Sequence, residues 1–377
     1  MQKRTPSVSD QATGSWLDRS LALAKARLPG ILLSFALACA GALVFIWIEA
    51  PLPVFLGALT FCLVASIARL PLLRPRSLSI PMRIVLGVAV GSAFTPALLG
   101  RANELALSLA LIVPFSALIT LLGFVFYTRV AGFDRPTAFF GSVPGGLTDM
   151  VTMSEDAGAN QRAVTLLSAV RMVLIVFAVP LYMQFVAGAA VGGAVINTIH
   201  IWEMEVWDAF VLLALGVSGW WIARRLGIAG AAIVGPMILS GAFHAGGVTA
   251  AKVPTELLIL AQLTLGILLG AQFRGLTLRE LSKWVAWGAV FSTVLIGLTL
   301  AVAHGVARMT GADPISVLIA FAPGGQSELN LLAIVLNLDV AFIALHHLVR
   351  VAAVIIGAQI VFRLNPGWKK ASPRGLE

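Results

Sequence analysis

The chain has 377 residues, 59% of them hydrophobic and 11% charged, with a formal net charge of +9 and a mean hydropathy of +0.96. Soluble domains carry about 25% charged residues, so this composition excludes a soluble fold and predicts an all-α polytopic membrane protein. The basic excess fits loops facing the cytoplasm. No Lys/Arg stripe with interleaved aromatics accompanies it, so nucleic acid is not an expected partner.

A polar stretch through Arg27 precedes an apolar run longer than the roughly 7–15 residues of a signal h-region, so residues 1–29 read as a cytoplasmic tail. A crossing helix needs about 20 apolar residues. The spans predicted next are 30–48, 52–69, 82–99 and 106–127. Cys39 and Cys62 fall inside spans and read as small core residues. Segment 135–157 is interrupted at Pro144-Gly145-Gly146, with Asp134 as the cap of its first piece. Span 161–187 closes a first membrane repeat, 30–187. The linker 188–206 has no Lys or Arg and carries Glu203 and Glu205 beside Trp202 and Trp207, a periplasmic edge with an aromatic belt. Then follow 207–223, 228–247, 255–273, 284–306, a second broken segment 314–337 and 340–363, which make a second repeat, 207–364. Residues 365–377 read as a second cytoplasmic tail.

The halves are copies. Gly132, Asp134, Pro144, Gly145, Gly146, Thr148, Asp149 and Arg171 recur 179 residues later as Gly311, Asp313, Pro323, Gly324, Gly325, Ser327, Glu328 and Arg350. Gly87, Gly91 and Phe94 precede Gly266, Gly270 and Phe273 by the same interval, and their GxxxG spacing predicts a close helix pair in each half. If each broken segment turns back, each half crosses five times and the halves are inverted; if it crosses, the halves are parallel. Turning back puts 21 Lys/Arg inside and only Arg101, Lys252 and Arg308 outside; crossing gives 17 against 7. The positive-inside rule favours two inverted repeats of about five spans, each with a re-entrant segment, and both termini cytoplasmic. Two crossing broken helices remain the alternative.

The breaks carry the chemistry. Pro144 and Pro323 remove a backbone donor, and Gly145, Gly146, Gly324 and Gly325 permit the turn. Each second half-helix then presents N–H groups at membrane depth, an anion site where two tips could meet; the plain alternative is a tight structural turn. Asp149 and Glu328 occupy the N3 position if Gly146 and Gly325 are N-caps, so they either cap their own helices or take up a coupling ion. Thr148 and Ser327 offer hydroxyls to a ligand or to the helix start. Arg171 and Arg350 lie deep in apolar helices, where each needs a partner: Asp149, Glu328 or an anionic substrate, or else a structural bridge. Gln326, Asn330 and His346 join the candidate substrate- or ion-binding set, with Thr152, Asn337 and His347 secondary. Glu155, Asp156, Asn160 and Arg162 read as a solvated hairpin end.

Val143-Pro144-Gly145-Gly146-Leu147-Thr148-Asp149-Met150 and Ala322-Pro323-Gly324-Gly325-Gln326-Ser327-Glu328-Leu329 resemble the paired hairpins of the bacterial AbrB-type duplicated membrane proteins, over essentially residues 30–364. That resemblance implies a protein of the bacterial inner membrane. Members carry two inherited labels, AbrB regulator and ammonia monooxygenase. The second implies a copper or iron enzyme, and this sequence has no ligand cluster for one.

The expected function is a secondary transporter of a small polar or anionic metabolite, working by alternating access and coupled to a proton or monovalent cation. The alternative is a membrane-embedded regulator or sensor that affects gene expression through a partner. No nucleophile–base pair suggests an enzyme, and no metal or cofactor is expected. The expected partners are the lipid bilayer, the substrate, the coupling ion and a second copy in a homo-oligomer.

Overall fold

The computed structural model describes residues 16–96, 102–188, 199–277 and 280–368, and leaves out the side chains of 16–27, 102–104, 147–149 and 281. The described residues are helical in both halves. The first half runs α1 (Trp16–Trp47), α2 (Pro53–Ile67), α3 (Arg76–Gly91), α4 (Ala102–Arg129), α5 (Arg135–Ser142), α6 (Leu147–Asp156) and α7 (Gln161–Phe185). The second runs α8 (Val206–Arg225), α9 (Ala231–Ala245), α10 (Thr255–Gly270), α11 (Ala286–Thr310), α12 (Pro314–Phe321), α13 (Gln326–Val335) and α14 (Val340–Leu364). Among the described residues seven helices are long and apolar enough to cross a membrane, while α2 and α9 are shorter apolar helices.

Two predicted boundaries move. The third span, read as 82–99, is a helix over 76–91 that ends in the turn before Pro96. Residues 16–29, read as tail, belong to α1, because Leu21 to Leu28 is rich in Leu and Ala, both strong helix formers.

The duplication holds at the level of helix ends. Both ends of α3, α5, α6 and α7 shift by 179 onto α10, α12, α13 and α14, whereas α2 shifts onto α9 by 178. One residue has therefore been gained between α9 and α10. Even strained turns correspond. Leu52 (φ 48°) and Arg69 (φ 61°) match Gly230 (φ 67°) and Gly247 (φ 69°), and Asn337 (φ 51°) matches Gly158 (φ 70°). Asn tolerates the left-handed region better than most side chains, so Asn337 is accounted for by its turn.

The halves pack reciprocally. α3 lies on α9, α10 lies on α2, and α3 and α10 meet each other between them. The paired glycines make these contacts. A Cβ on Gly87 would stand 3.0 Å from Pro236 Cβ, and one on Gly91 2.7 Å from Met237 O. In the other half a Cβ on Gly266 would stand 2.8 Å from Ala58 Cβ, and one on Gly270 2.7 Å from Leu59 O. Between apolar helices close approach of backbones replaces a hydrophobic driving force; the GxxxG faces do make close contacts, but with helices of the opposite half rather than within each half, and so join the two halves.

Each broken segment is a hairpin. Asp134 caps α5 by accepting from Thr137 N at 3.0 Å, and Asn160 caps α7 by accepting from Ala163 N at 3.1 Å. The two starts are joined, since Asn160 N donates to Thr137 Oγ1 at 2.8 Å. The second copy repeats this with Asp313 on Ser316 N at 2.7 Å, Asp339 on Phe342 N at 3.0 Å, and Asp339 N to Ser316 Oγ at 3.4 Å. α5 therefore leaves from the level at which α7 begins, and α6 brings the chain back to it. The solvated end predicted for the first hairpin is exposed at Glu155, Asp156, Asn160 and Arg162, and Arg162 pairs with Glu280 at 3.1 Å.

Candidate functional site

The tips of the hairpins lie deep. Residues 141–145 and 321–325 are buried, and Gly146 and Gly325 are the N-caps of α6 and α13, which meets the condition under which Asp149 and Glu328 take the N3 position. A Cβ on Gly324 would stand 3.4 Å from Ile175 Cγ2, and one on Gly325 3.4 Å from Met172 Sδ, so the second tip packs against the middle of α7.

The two arginines explain how such a break is held. Pro144 and Pro323 give no N–H, and the last carbonyls of α5 and α12 lack intrahelical partners. Arg171, ten residues into α7, supplies the missing donors. Its Nη1 donates to Gly141 O at 3.1 Å and Ser142 O at 3.2 Å, and its Nη2 to Val143 O at 3.0 Å. Arg350 does the same in the second half, with Nη1 on Ala322 O and Nη2 on Gly324 O at 3.2 Å. Hydrogen bonds to charged groups stabilise by about 1.5–3 kcal/mol each. Three of them exceed the roughly 2.5–3.5 kcal/mol cost of an arginine at the bilayer centre. Arg171 is 2% exposed and Arg350 1%, and both Nε atoms are without a partner. Their recorded partners are thus backbone carbonyls, and among the described residues neither forms an ion pair with a carboxylate. The side chains of Thr148 and Asp149 lie outside the described residues.

Polar groups concentrate at the second tip. Ser327 and Glu328 are buried in the first turn of α13, and Asn330 is one turn further on. The Glu328 carboxylate folds back over Gly325 so closely that a Cβ there would overlap it. α3 packs against α13 and carries Arg83, whose positive charge acts on Glu328 without a direct ion pair between them. Sequence reasoning missed Arg83 by counting it in a cytoplasmic loop. A signal was present: 179 residues on stands Gln262, buried in the matching turn of α10, and a polar residue in both copies of an apolar helix marks a facing site.

His346 and His347 lie on α14, which packs against α13. His346 Nδ1 lies 2.8 Å from Phe342 O, which leaves its buried Nε2 as an unpartnered acceptor. His347 Nε2 lies 3.1 Å from Ile319 O, and its Nδ1 lies 2.9 Å from the Asn330 amide. A neutral imidazole donating to Ile319 must accept from Asn330, so that amide gives its NH2 and keeps its oxygen free. Gln326 Nε2 is likewise buried and unpartnered. The matching positions of the first hairpin hold Leu147, Val151, Leu167 and Ser168. At these four positions the two copies have diverged, with three apolar residues and Ser168 in the first half and four polar ones in the second. Of the secondary candidates, Thr152 is exposed on α6.

Unpartnered buried polar groups are rare in folded proteins. At the second break such atoms occur at Gln326 and Asn330, one turn apart on α13, and at His346 on the neighbouring α14. The family model described as "Transition state regulatory protein AbrB" matches residues 54–365. Among curated proteins the chain is similar to "Uncharacterized protein YhjN" of Bacillus subtilis (strain 168), 25% identical over 310 residues that cover 75% of this chain and 77% of the relative. It is also similar to "Putative regulator AbrB" of Escherichia coli (strain K12), 22% identical over 323 residues, 85% of this chain and 91% of that one. The match spans both hairpins and both arginines, and the chain belongs to the AbrB family.

Proposed function

We propose that this protein is a secondary transporter of a small polar or anionic metabolite, embedded in the bacterial inner membrane. The observation that carries this reading is the set of unpartnered buried atoms at the second break: Gln326 Nε2, the one polar atom of the Asn330 amide that His347 does not engage, and His346 Nε2, with the buried Glu328 between Gln326 and Asn330 in the sequence of α13. A purely structural turn would satisfy such groups or lack them. The substrate's polar groups complete these hydrogen bonds, and the N-terminal N–H groups of α13 favour a negative charge on it. Glu328 takes up the coupling proton or cation, and Arg83 balances its charge when the site is empty. In this reading the halves are inverted repeats of about five spans with re-entrant hairpins, and both termini are cytoplasmic. The reciprocal packing of α3 on α9 and of α10 on α2 supports a rigid unit against which the hairpins move.

Membrane vesicles loaded with a panel of small carboxylates and polar metabolites test this. Wild type is expected to show gradient-driven flux of one substrate class. Glu328→Gln, nearly isosteric, is expected to abolish coupled flux while keeping the wild-type melting temperature. Unchanged flux in Glu328→Gln overturns the assigned role. The orientation has its own test: Glu203→Cys is expected to react with an impermeant thiol reagent from the periplasmic side only.

The printed names of the family and of the E. coli relative favour a second reading, a membrane-embedded regulator acting through a partner. Absence of flux across the panel, with transcription altered in a Glu328→Gln strain, is the result that selects it.

A further inference from the structure

A groove of about 810 Å³ runs between α4, α5 and α14, away from the polar cluster. Its α4 wall is one helical stripe from Val113 to Arg129, about 24 Å at 1.5 Å per residue. That exceeds the depth of one hydrocarbon leaflet, about half of a ~30 Å core. The opposite wall, on α14, includes Ala353, Gly357 and Val361. A Cβ on Gly357 would meet nothing within 4 Å, so this stretch of groove is open space rather than a helix contact.

The two ends differ. The length between Val113 and Val125 is predominantly apolar. At the other end stand Arg129, the last residue of α4, and Arg135, the first of α5, with Trp368 across from them. Both arginines are exposed, and among the described residues neither has an ion-pair or hydrogen-bond partner. The adjacent Asp134 carboxylate is engaged at the start of α5, where it accepts from Thr137 N. The Trp368 ring packs on Phe139 at 5.5 Å, an indole at a polar–apolar border, as at membrane interfaces. The charge pair is not a product of the duplication, because position 314, the counterpart of Arg135, is proline.

We propose that this groove is a binding site for one anionic phospholipid, with an acyl chain along α4 and α14 and the phosphate held by Arg129 and Arg135. Two guanidiniums at the mouth of an apolar slot complement a phosphodiester joined to a hydrocarbon chain. The groove floor includes Phe139 and Val143, and Val143 O is one of the carbonyls that Arg171 holds. The bound chain therefore braces the first hairpin at its break, on the side opposite Arg171.

Native mass spectrometry of the full-length, delipidated protein tests this, titrated with phosphatidylglycerol, phosphatidylcholine or oleate of matched chain length. Wild type is expected to retain one phosphatidylglycerol at least tenfold more strongly than phosphatidylcholine. Arg129→Gln/Arg135→Gln is expected to remove that preference. Gly357→Phe, which fills the groove without touching the arginines, is expected to weaken retention of both phospholipids about tenfold. Melting temperatures within a few degrees of wild type show that each variant is folded; should either variant fail this, Arg135→Gln alone and Gly357→Leu replace them. Retention unchanged by either change means annular lipid only and overturns the site. Sensitivity to the arginines but not to Gly357→Phe overturns the groove, and oleate bound as tightly as phosphatidylglycerol overturns the phospholipid.

Discussion

Arg171 donates Nη1 to the carbonyl oxygen of Gly141, 3.1 Å away, across the gap between α7 and the end of α5. That bond and its two neighbours make the guanidinium a cap for a helix that ends inside the protein. Removing it leaves three buried carbonyls without donors, at about 1–3 kcal/mol for each unsatisfied group. Arg171→Met is expected to destabilise the protein by several kcal/mol and to lower its melting temperature in detergent by well over 5 °C. Arg171→Lys is expected to recover only part of this, since one ammonium does not span three carbonyls. A melting temperature unchanged in Arg171→Met would show that the break holds without the cap.

Gly325 has an ordinary backbone conformation, φ −71°, so alanine fits its backbone. The space for a Cβ is taken by the Glu328 carboxylate. Gly325→Ala is expected to displace that carboxylate, with a stability loss near the lower end of the roughly 1–3 kcal/mol of overpacking and a flux loss of tenfold or more. Flux assays paired with thermal melts check this. A large melting-temperature loss with normal flux would contradict it.

Much of this architecture was legible in the sequence because duplication tests each feature twice. A Pro-Gly-Gly in one apolar segment is ambiguous, but the same motif 179 residues later, with an acid and an arginine at matched positions, is not. The hairpin caps, the N-cap glycines and the close approach at the paired glycines followed from local chemistry, but not the choice of a partner helix in the opposite half. The third span did not, because hydropathy drew it past Gly91 to residue 99. Shifting the second copy back by 179 places its start at residue 76, where α3 begins. The partners of Arg171 and Arg350 were also illegible. Charge counting looks for carboxylates, while a broken helix offers carbonyls whose need for donors appears only once the chain has turned back. Arg83 was hidden for a related reason, since its role depends on α3 packing against α13.

The glycine contacts between halves make a reciprocal prediction. Gly91 meets α9 and Gly270 meets α2 with no room for a side chain. Gly91→Leu and Gly270→Leu are each expected to destabilise by at least about 1–3 kcal/mol, the cost of overpacking, read as a lower melting temperature. Gly297→Leu, at a site with nothing within 4 Å of an added Cβ, is the control expected to melt near wild type. Equal loss in all three variants would argue against the close helix pairs.

The strap before α8 carries a pH-dependent contact. His200 Nδ1 lies 2.7 Å from Glu256 Oε1, and its ring stacks on Trp202 at 4.4 Å. The hydrogen bond to Glu256, followed by the charges of Glu256 and Glu203, raises the His200 pKa above its ordinary value. A raised imidazole pKa contributes stability that is fully present below the unfolded value of about 6.5 and is lost as pH rises through the folded value. The protection factor of the Ile201 amide, its exchange measured against the intrinsic base-catalysed rate, is expected to fall across that window, since Ile201 N donates to Glu256 Oε2 at 3.0 Å. His200→Gln is expected to remove the pH dependence. Dependence that persists in this variant would assign the titration elsewhere.

Alternating access around the second break is the central claim, and accessibility of Ser327 tests it most directly. Ser327 is buried in the first turn of α13, beside Glu328. In a chain whose two cysteines are replaced, as Cys39→Ser and Cys62→Ala, Ser327→Cys becomes the sole thiol. The account predicts slow labelling by an impermeant reagent from both sides of the membrane, and protection by the transported substrate. Labelling from one side only, or none from either side in a folded protein with measurable flux, would contradict it.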